Sequence, residues 1–312
     1  MDSICCAVIG TGHLGKHHTR ILSQFSGVEL VGVCDIREES LKTVSTQFNA
    51  KEYRDYKDLI KEVDAVVVAT PTVTHHEVCM AFLDAGKHVL VEKPISTTLD
   101  EAEKMVETAR KKECIFQVGH SERFNPAFIA AQPFVKNPRF IETHRLNMFA
   151  PRGIDVDVVL DLMIHDLDII LHFMNAFPAR IDSIGVPVLS KEIDIANTRL
   201  TFPGGAVANI TASRVSVNPI RKFRIFQEDT YISIDFKDPN VSIYKRNPPL
   251  EGSDLPQIQR IPVEIAKQEP LFMEISDFIN SIRTGTEPKV TGEVGLKALK
   301  AALMVLKGVE CY

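Results

Sequence analysis

The chain of 312 residues is 45% apolar and 25% charged with a net charge of −5, values of an ordinary folded protein and not of a disordered or fibrous one. Its length suits two domains better than one. Basic residues are scattered, so the concentrated positive face of a nucleic-acid or anionic-membrane binder is not expected, and no run nears the roughly 18 apolar residues of a membrane span.

Six cysteines, at positions 5, 6, 34, 79, 114 and 311, lie mostly inside apolar runs. Their spacing is neither a zinc pattern nor a disulfide framework, which predicts reduced core thiols in a cytoplasmic protein. The chain starts almost at once on a strand-like run, and no cleavable leader is expected.

The first 120 residues alternate short β-rich runs ("SICCAVIG", "VELVGVCD", "VDAVVVAT", "KHVLVEK", "CIFQVGH") with helix-length amphipathic segments. Continuous apolar strands joined by helices predict a doubly wound parallel sheet of the Rossmann type over 1–120. Gly10, Gly12 and Gly15 follow the first strand in "GTGHLG". Such glycines allow a tight turn, a close approach of backbone to pyrophosphate, and close helix packing, with helix-end N–H groups meeting the phosphates. Thr11, His13 and Leu14 complete this candidate loop. The second strand ends in Asp35, 20 residues after Gly15, where a carboxylate holds ribose hydroxyls and repels a 2′-phosphate, favouring NAD over NADP. Arg37 beside it could stack on adenine or accept that phosphate.

Ligands of open α/β sheets lie outside the carboxyl ends of the strands. Two more such ends, "ATPTVTHH" and "VEKPIS", add Thr70, Pro71, His75, Glu92, Lys93 and Pro94 to the candidate cofactor site. Pro94 restricts Lys93 to extended backbone, a constraint a mobile surface amine does not need.

After "SERFNPA" the texture changes to strand after strand with few helices. This predicts an α+β domain over 121–312 with a large, mostly antiparallel sheet, a helix near 156–174, and C-terminal helices at 270–284 and 291–309. "GGA" at 204–206 reads as a hairpin turn. The segment "DVDVVLDLMIHDLDIILHF" is apolar nearly all round and must be buried. Asp157, Asp161, His165 and Asp168 recur within it at spacings of four, four and three, which as a helix forms one stripe. Such carboxylates are costly to bury, so the stripe should line a wet or ligand-filled cavity. The pattern fits an acid/base histidine with an acidic partner or a core ion-pair network; no third ligand marks a metal site. Arg123, Asn125, Arg145, Asn147 and Arg152 flank this region, and a guanidinium there could clamp a phosphate or carboxylate.

Taken together, "AVIGTGHLG", "ATPTVTHHE", "VEKPIS", "GHSERFNPA", "VVLDLMIHDLDII" and the closing "EPLFMEISDFINSIRTGTEPKVTGEVGLKALKAAL" resemble the Gfo/Idh/MocA oxidoreductase family along essentially the whole chain. The resemblance implies an NAD-dependent dehydrogenase of CH–OH groups, a catalytic Lys93 followed by a cis Pro94, and an Asp161–His165 pair in the same active site. His165 is then the favoured base and Lys93 the stabiliser of the developing oxyanion, although relatives support either assignment. Asp161 would hold the sugar or the imidazole, and Lys93, Arg123, Asn125, Arg152, Asp161 and His165 form the expected substrate set. "GHSERFNPA" with "LDLMIHDLDI" resembles the subgroup acting on nucleotide-linked sugars, such as UDP-N-acetylglucosamine oxidised at C3. A free polyol or sugar is the alternative substrate, and a non-catalytic cofactor-binding regulator the alternative function. Relatives assemble as dimers and tetramers, and the second domain's sheet offers a face for a homodimer or homotetramer.

Overall fold

The computed structural model describes residues 3–149, 156–251 and 254–310. Two compact units divide the chain: Met1–Ser121 with Leu271–Leu299, and Glu122–Pro270 with Lys300–Tyr312.

In the first unit, β1 (Ile4–Ile9), β2 (Val28–Cys34), β3 (Lys51–Tyr53), β4 (Ala65–Val68), β5 (His88–Glu92) and β6 (Phe116–Gly119) form one sheet in the order β3-β2-β1-β4-β5-β6. Every pairing is parallel. Its strands carry side chains that apolar neighbours must cover on both faces; all four residues of β4 are buried. The covering helices are α1 (His13–Leu22), α2 (Glu38–Phe48), α3 (His75–Asp84) and α4 (Leu99–Lys111). A capping box starts α4, in which the Thr98 hydroxyl accepts from the Glu101 N–H and the Glu101 carboxylate accepts from the Thr98 N–H.

In the second unit, α5 (Pro126–Ala131) precedes β7 (Phe140–Leu146), α6 (Ile164–Met174), β8 (Arg180–Val186), β9 (Ile195–Thr201), β10 (Val207–Ser213), β11 (Ile220–Phe226), β12 (Thr230–Asp235), β13 (Asn240–Asn247) and β14 (Gln257–Ile261). With β15 (Val309–Glu310) they make a nine-stranded sheet in the order β14-β13-β12-β11-β7-β10-β9-β8-β15. Only β7–β10 and β8–β15 pair in parallel. Burial alternates along β7 and β9, as in a sheet with one packed face. Gly204 and Gly205 turn the β9–β10 hairpin with φ of +83° and +84°, where a Cβ would be strained.

Two further helices, α7 (Pro270–Thr284) and α8 (Gly292–Lys307), close the chain. The sequence reading placed both with the second domain. Instead, α7 from Leu271 and α8 up to Leu299 belong to the first unit. The reason is packing: Ile275, Phe278 and Ile279 of α7 join the core that contains Ile4, Val8, Ile21, Leu22, Val33 and Val67. An amphipathic helix announces that it needs an apolar face to cover, not which one.

No helix among the described residues is long and apolar enough to cross a membrane. Cys5, Cys6, Cys34, Cys79 and Cys114 are free thiols, and burial pushes those of Cys6 and Cys34 up to about 12.

The placement of α7 has a measurable consequence. Phe278 is 1% exposed, so Phe278→Ala should destabilise the first unit by about 3–5 kcal/mol, the usual range for emptying a buried phenyl site. Urea unfolding followed on that unit checks this; a loss below about 1 kcal/mol would show α7 to be peripheral.

Candidate active site

The glycine loop is built by three different demands. Gly10 has φ +93° and a Cβ there would lie 2.5 Å from the Ala69 carbonyl oxygen. A Cβ at Gly15 would stand 1.8 Å from the Gly10 carbonyl oxygen, so α1 reaches the strand end only because residue 15 has no side chain. Gly12 differs: its missing Cβ would meet only Arg37 Nη2, at 3.6 Å. The space in front of it is open. No side chain caps α1 at Gly12 and no acidic residue occupies its first turn, leaving its first N–H groups available to an anion.

Asp35, at the end of β2, braces this loop from behind. Its Oδ2 accepts from the Thr11 N–H at 2.8 Å and the Thr11 hydroxyl at 2.9 Å, while Oδ1 accepts from the Arg37 N–H at 2.8 Å and Arg37 Nε at 3.4 Å. Burial opposes the charge, but the Arg37 and Thr11 hydrogen bonds outweigh it and hold the carboxyl below its usual range. Ser40, which the sequence reading missed, donates from its hydroxyl to the Thr11 carbonyl at 2.8 Å. His13 and Leu14 are exposed at the start of α1.

The neighbouring strand ends are tied to each other. Gly10 abuts Ala69 and Thr70, and the buried His75 ring spans the Thr70 carbonyl at 2.9 Å and the Pro94 carbonyl at 3.0 Å. Pro71 starts the turn after β4 and Thr70 accepts from the Thr74 hydroxyl. His75 is thus a buckle between two loops and not an exposed cofactor ligand. Burial lowers its pKa, against the pull of the Thr70 and Pro94 carbonyls. The reversal of strand order between β1 and β4 makes this edge the crevice where doubly wound sheets bind ligands.

Lys93 follows β5 directly, half-buried, and its peptide to Pro94 is cis. Glu92, expected at the cofactor, points elsewhere. It is buried, with Oε1 2.7 Å from His18 Nε2.

In the second unit, the helix carrying the acid/base candidates opens with a π-helical stretch, Val159–Met163, that runs into α6. Most apolar residues of this segment are buried, as its composition required, while Leu160 and Leu171 are half-buried. The expected stripe of four does not survive intact. Asp157 lies ahead of the helix and accepts from the N–H groups of Val159 and Leu160 at 2.8 and 2.9 Å. Asp168 is buried in an ion pair with Arg123 at 3.0 Å. Asp161 and His165 remain, both half-buried, and the wide turn between them is of a kind frequent at functional sites. Arg214 anchors its start, donating to the Val156 carbonyl at 2.6 Å and to Asp194 at 2.7 Å.

Several flanking candidates turn out to be structural. The Arg123 guanidinium, 9% exposed, is committed to Asp168 and lies over the Phe128 ring. Asn125 caps α5, accepting from the Ala127 N–H, and its amide donates to Glu122 and the Phe236 carbonyl. Arg145 holds Asp166 through two hydrogen bonds of 3.0 Å and Glu122 through one of 2.8 Å; burial opposes its charge, and Asp166 and Glu122 more than restore it. Such bidentate pairs satisfy charges that burial would otherwise make costly. Arg152 lies outside the described residues.

Comparison with known proteins gives a consistent picture. Residues 4–120 match the family described as an oxidoreductase family with an NAD-binding Rossmann fold. Over 98% of this chain and 97% of the other, the sequence is 36% identical to UDP-N-acetylglucosamine 3-dehydrogenase of Acidithiobacillus ferrooxidans. A solved structure of that species' enzyme superposes with a TM-score of 0.91 at 35% identity, covering 99% of this chain and 98% of that one. Myo-inositol 2-dehydrogenase of Thermotoga maritima is 28% identical over 97% of this chain and 95% of its own.

The glycine loop allows a direct check. Gly12→Ala should leave stability within about 0.5 kcal/mol, because its Cβ has room, yet weaken NAD by about tenfold or more by entering the phosphate's space. Gly15→Ala should lose both stability and NAD binding. Thermal melting with and without NAD reads both; wild-type NAD affinity in Gly12→Ala would contradict the loop assignment.

Proposed function

The chain belongs to the Gfo/Idh/MocA oxidoreductase family, and we propose that this NAD-dependent dehydrogenase oxidises a nucleotide-linked sugar, UDP-N-acetylglucosamine, at its C3 hydroxyl. The observation that carries this choice is the 36% identity across 98% of the chain to an enzyme of that name. In this reading the first unit holds NAD and the second supplies the sugar-binding and assembly surfaces.

Gly10, Thr11, Gly12, His13, Leu14 and Gly15 present the backbone to the pyrophosphate, with Asp35 and Arg37 at the adenosine ribose and Thr70, Pro71 and Pro94 along the cofactor's path. NAD supplies the acceptor for the hydride leaving the carbinol carbon. Lys93 donates a hydrogen bond to the reacting oxygen and stabilises the charge that develops there as its proton departs. His165 takes that proton, and Asp161 orients either the imidazole or a neighbouring sugar hydroxyl. Arg123 and Asn125 support the second unit from within, and Arg152 remains a candidate for the diphosphate.

The protein acts in the cytoplasm as a homodimer or homotetramer through its nine-stranded sheet. Support comes from Ile184, Ile220, Tyr244 and Ile258, large apolar side chains left exposed on its strands.

Two measurements test this reading. NADH absorbance over a panel of nucleotide sugars, free sugars and inositols should rise with UDP-N-acetylglucosamine; a response to inositol alone would replace the substrate. Lys93→Met should keep NAD affinity while kcat falls by on the order of 10²–10⁴, the scale for losing a positioned catalytic group. Wild-type turnover in that variant would remove Lys93 from the mechanism.

A further inference from the structure

Beneath the end of β5 lies a group of side chains that the reaction above does not use. His18 of α1, Glu92 of β5 and Glu274 of α7 are 0%, 7% and 0% exposed, and one ligating atom of each lies within 4.8 Å of the others. All three belong to the first unit. His18 Nε2 is 2.7 Å from Glu92 Oε1. Since an ionised carboxylate only accepts, that nitrogen is the donor. Neither oxygen of Glu274 has a hydrogen-bond donor among the described residues. The Glu92 carboxylate also sits close over Gly119, whose absent Cβ would come within 3.0 Å of Oε2.

Three occupants could reconcile this arrangement: an isolated buried carboxylate, a metal ion, or a proton. An ionised Glu274 with no donor, beside a second carboxylate, is the costliest. A metal fits poorly, because two ligands about 2.1 Å from a tetrahedral ion stand roughly 3.4 Å apart, whereas His18 and Glu92 are at hydrogen-bond distance. A proton removes the stranded charge. Protonated Glu274 becomes a donor, and of the two acceptors within the cluster, the Glu92 carboxylate and the His18 Nδ1 that has no hydrogen-bond partner among the described residues, the charged one makes the stronger hydrogen bond. Two carboxyl groups in one dry site share a proton for the same electrostatic reason.

We propose that Glu274 is a positioning residue that keeps its proton at neutral pH and donates it to Glu92, so that Glu274 and His18 together clamp the Glu92 carboxylate and thereby fix the backbone from which Lys93 emerges. The clamp joins three segments distant in sequence, α1, β5 and α7, at the residue preceding the catalytic amine. Lys93 and His75 also bear electrostatically on Glu92, and Asp277 and Glu92 on Glu274; burial first, then those two carboxylates, drives the Glu274 carboxyl well above its usual range. The role in catalysis rests on Lys93 being the catalytic amine, while the shared proton stands without it.

Infrared difference spectroscopy of the NAD-bound enzyme, wild type minus Glu274→Gln at pH 7, reads the proton directly. The expected result is a protonated-carboxyl stretch in the wild type that shifts in deuterium oxide, vanishes in Glu274→Gln and persists in Lys93→Met. Absence of that band in the wild type, or a stoichiometric divalent metal in the purified enzyme that Glu274→Gln loses, overturns the proposal. Steady-state kinetics read the positioning. Glu274→Leu, which cannot donate, should lower kcat by about 10- to 100-fold, the scale of a misplaced catalytic group, with little change in KM for NAD. Glu274→Gln, whose amide still donates to Glu92, should recover most of that loss. Equal loss in both variants with the band present in the wild type would overturn the positioning role and leave the shared proton standing.

Discussion

A helix can be seated directly on the end of a strand only where nothing projects between them, and here that condition is met at a single residue. With Gly15 bare against the Gly10 carbonyl, the N-terminus of α1 is delivered uncapped to the carboxyl edge of the sheet. Most of the site geometry follows. Asp35 and Ser40 can reach Thr11 because the loop is pulled tight, and Gly10 can lean on Ala69 and Thr70, whose carbonyl His75 then links to Pro94. The helix end, Asp35 and the lysine after β5 are thus carried on one continuous scaffold of backbone contacts, the rigid support a positioned site requires.

Buried charge organises the second unit in a different way. Arg145 with Asp166 and Glu122, Arg123 with Asp168, and Arg214 with Asp194 are nearly dry pairs. Removing one member would strand the other, so such networks specify one arrangement more than they add stability. Their effect is to hold the π-helical entry to α6, and with it Asp161 and His165, on a defined path.

What could be read from the residues alone divides along the range of the interactions concerned. Local signals were legible: the glycine spacing after β1, the carboxylate ending β2, the continuous apolar runs of the parallel sheet, the hairpin glycines. The stripe from Asp157 to Asp168 stands out by its polar groups in an apolar segment and Lys93 by the proline that stiffens it, while the choice of Asp161, His165 and Lys93 as catalytic groups rests on the family resemblance. Partners were not legible. Arg123 meets Asp168 45 residues away and Glu92 meets His18 74 residues away, and no pattern in either segment names the other. The face that α7 covers is hidden for the same reason. The π-helical turn escaped too, since a helical stripe drawn at 3.6 residues per turn assumes the regular geometry that this segment abandons.

Transfer of the carbon-bound hydrogen to NAD, with the protein's residues handling only the proton, underlies the proposed reaction. It is tested most directly with UDP-N-acetylglucosamine carrying deuterium at C3, by following where the label goes. Deuterium is expected on the nicotinamide ring in equal amount to the NADH formed, with a slower rate than for the unlabelled sugar when chemistry limits turnover. Deuterium retained on the sugar, or released to water while NADH forms, would contradict it.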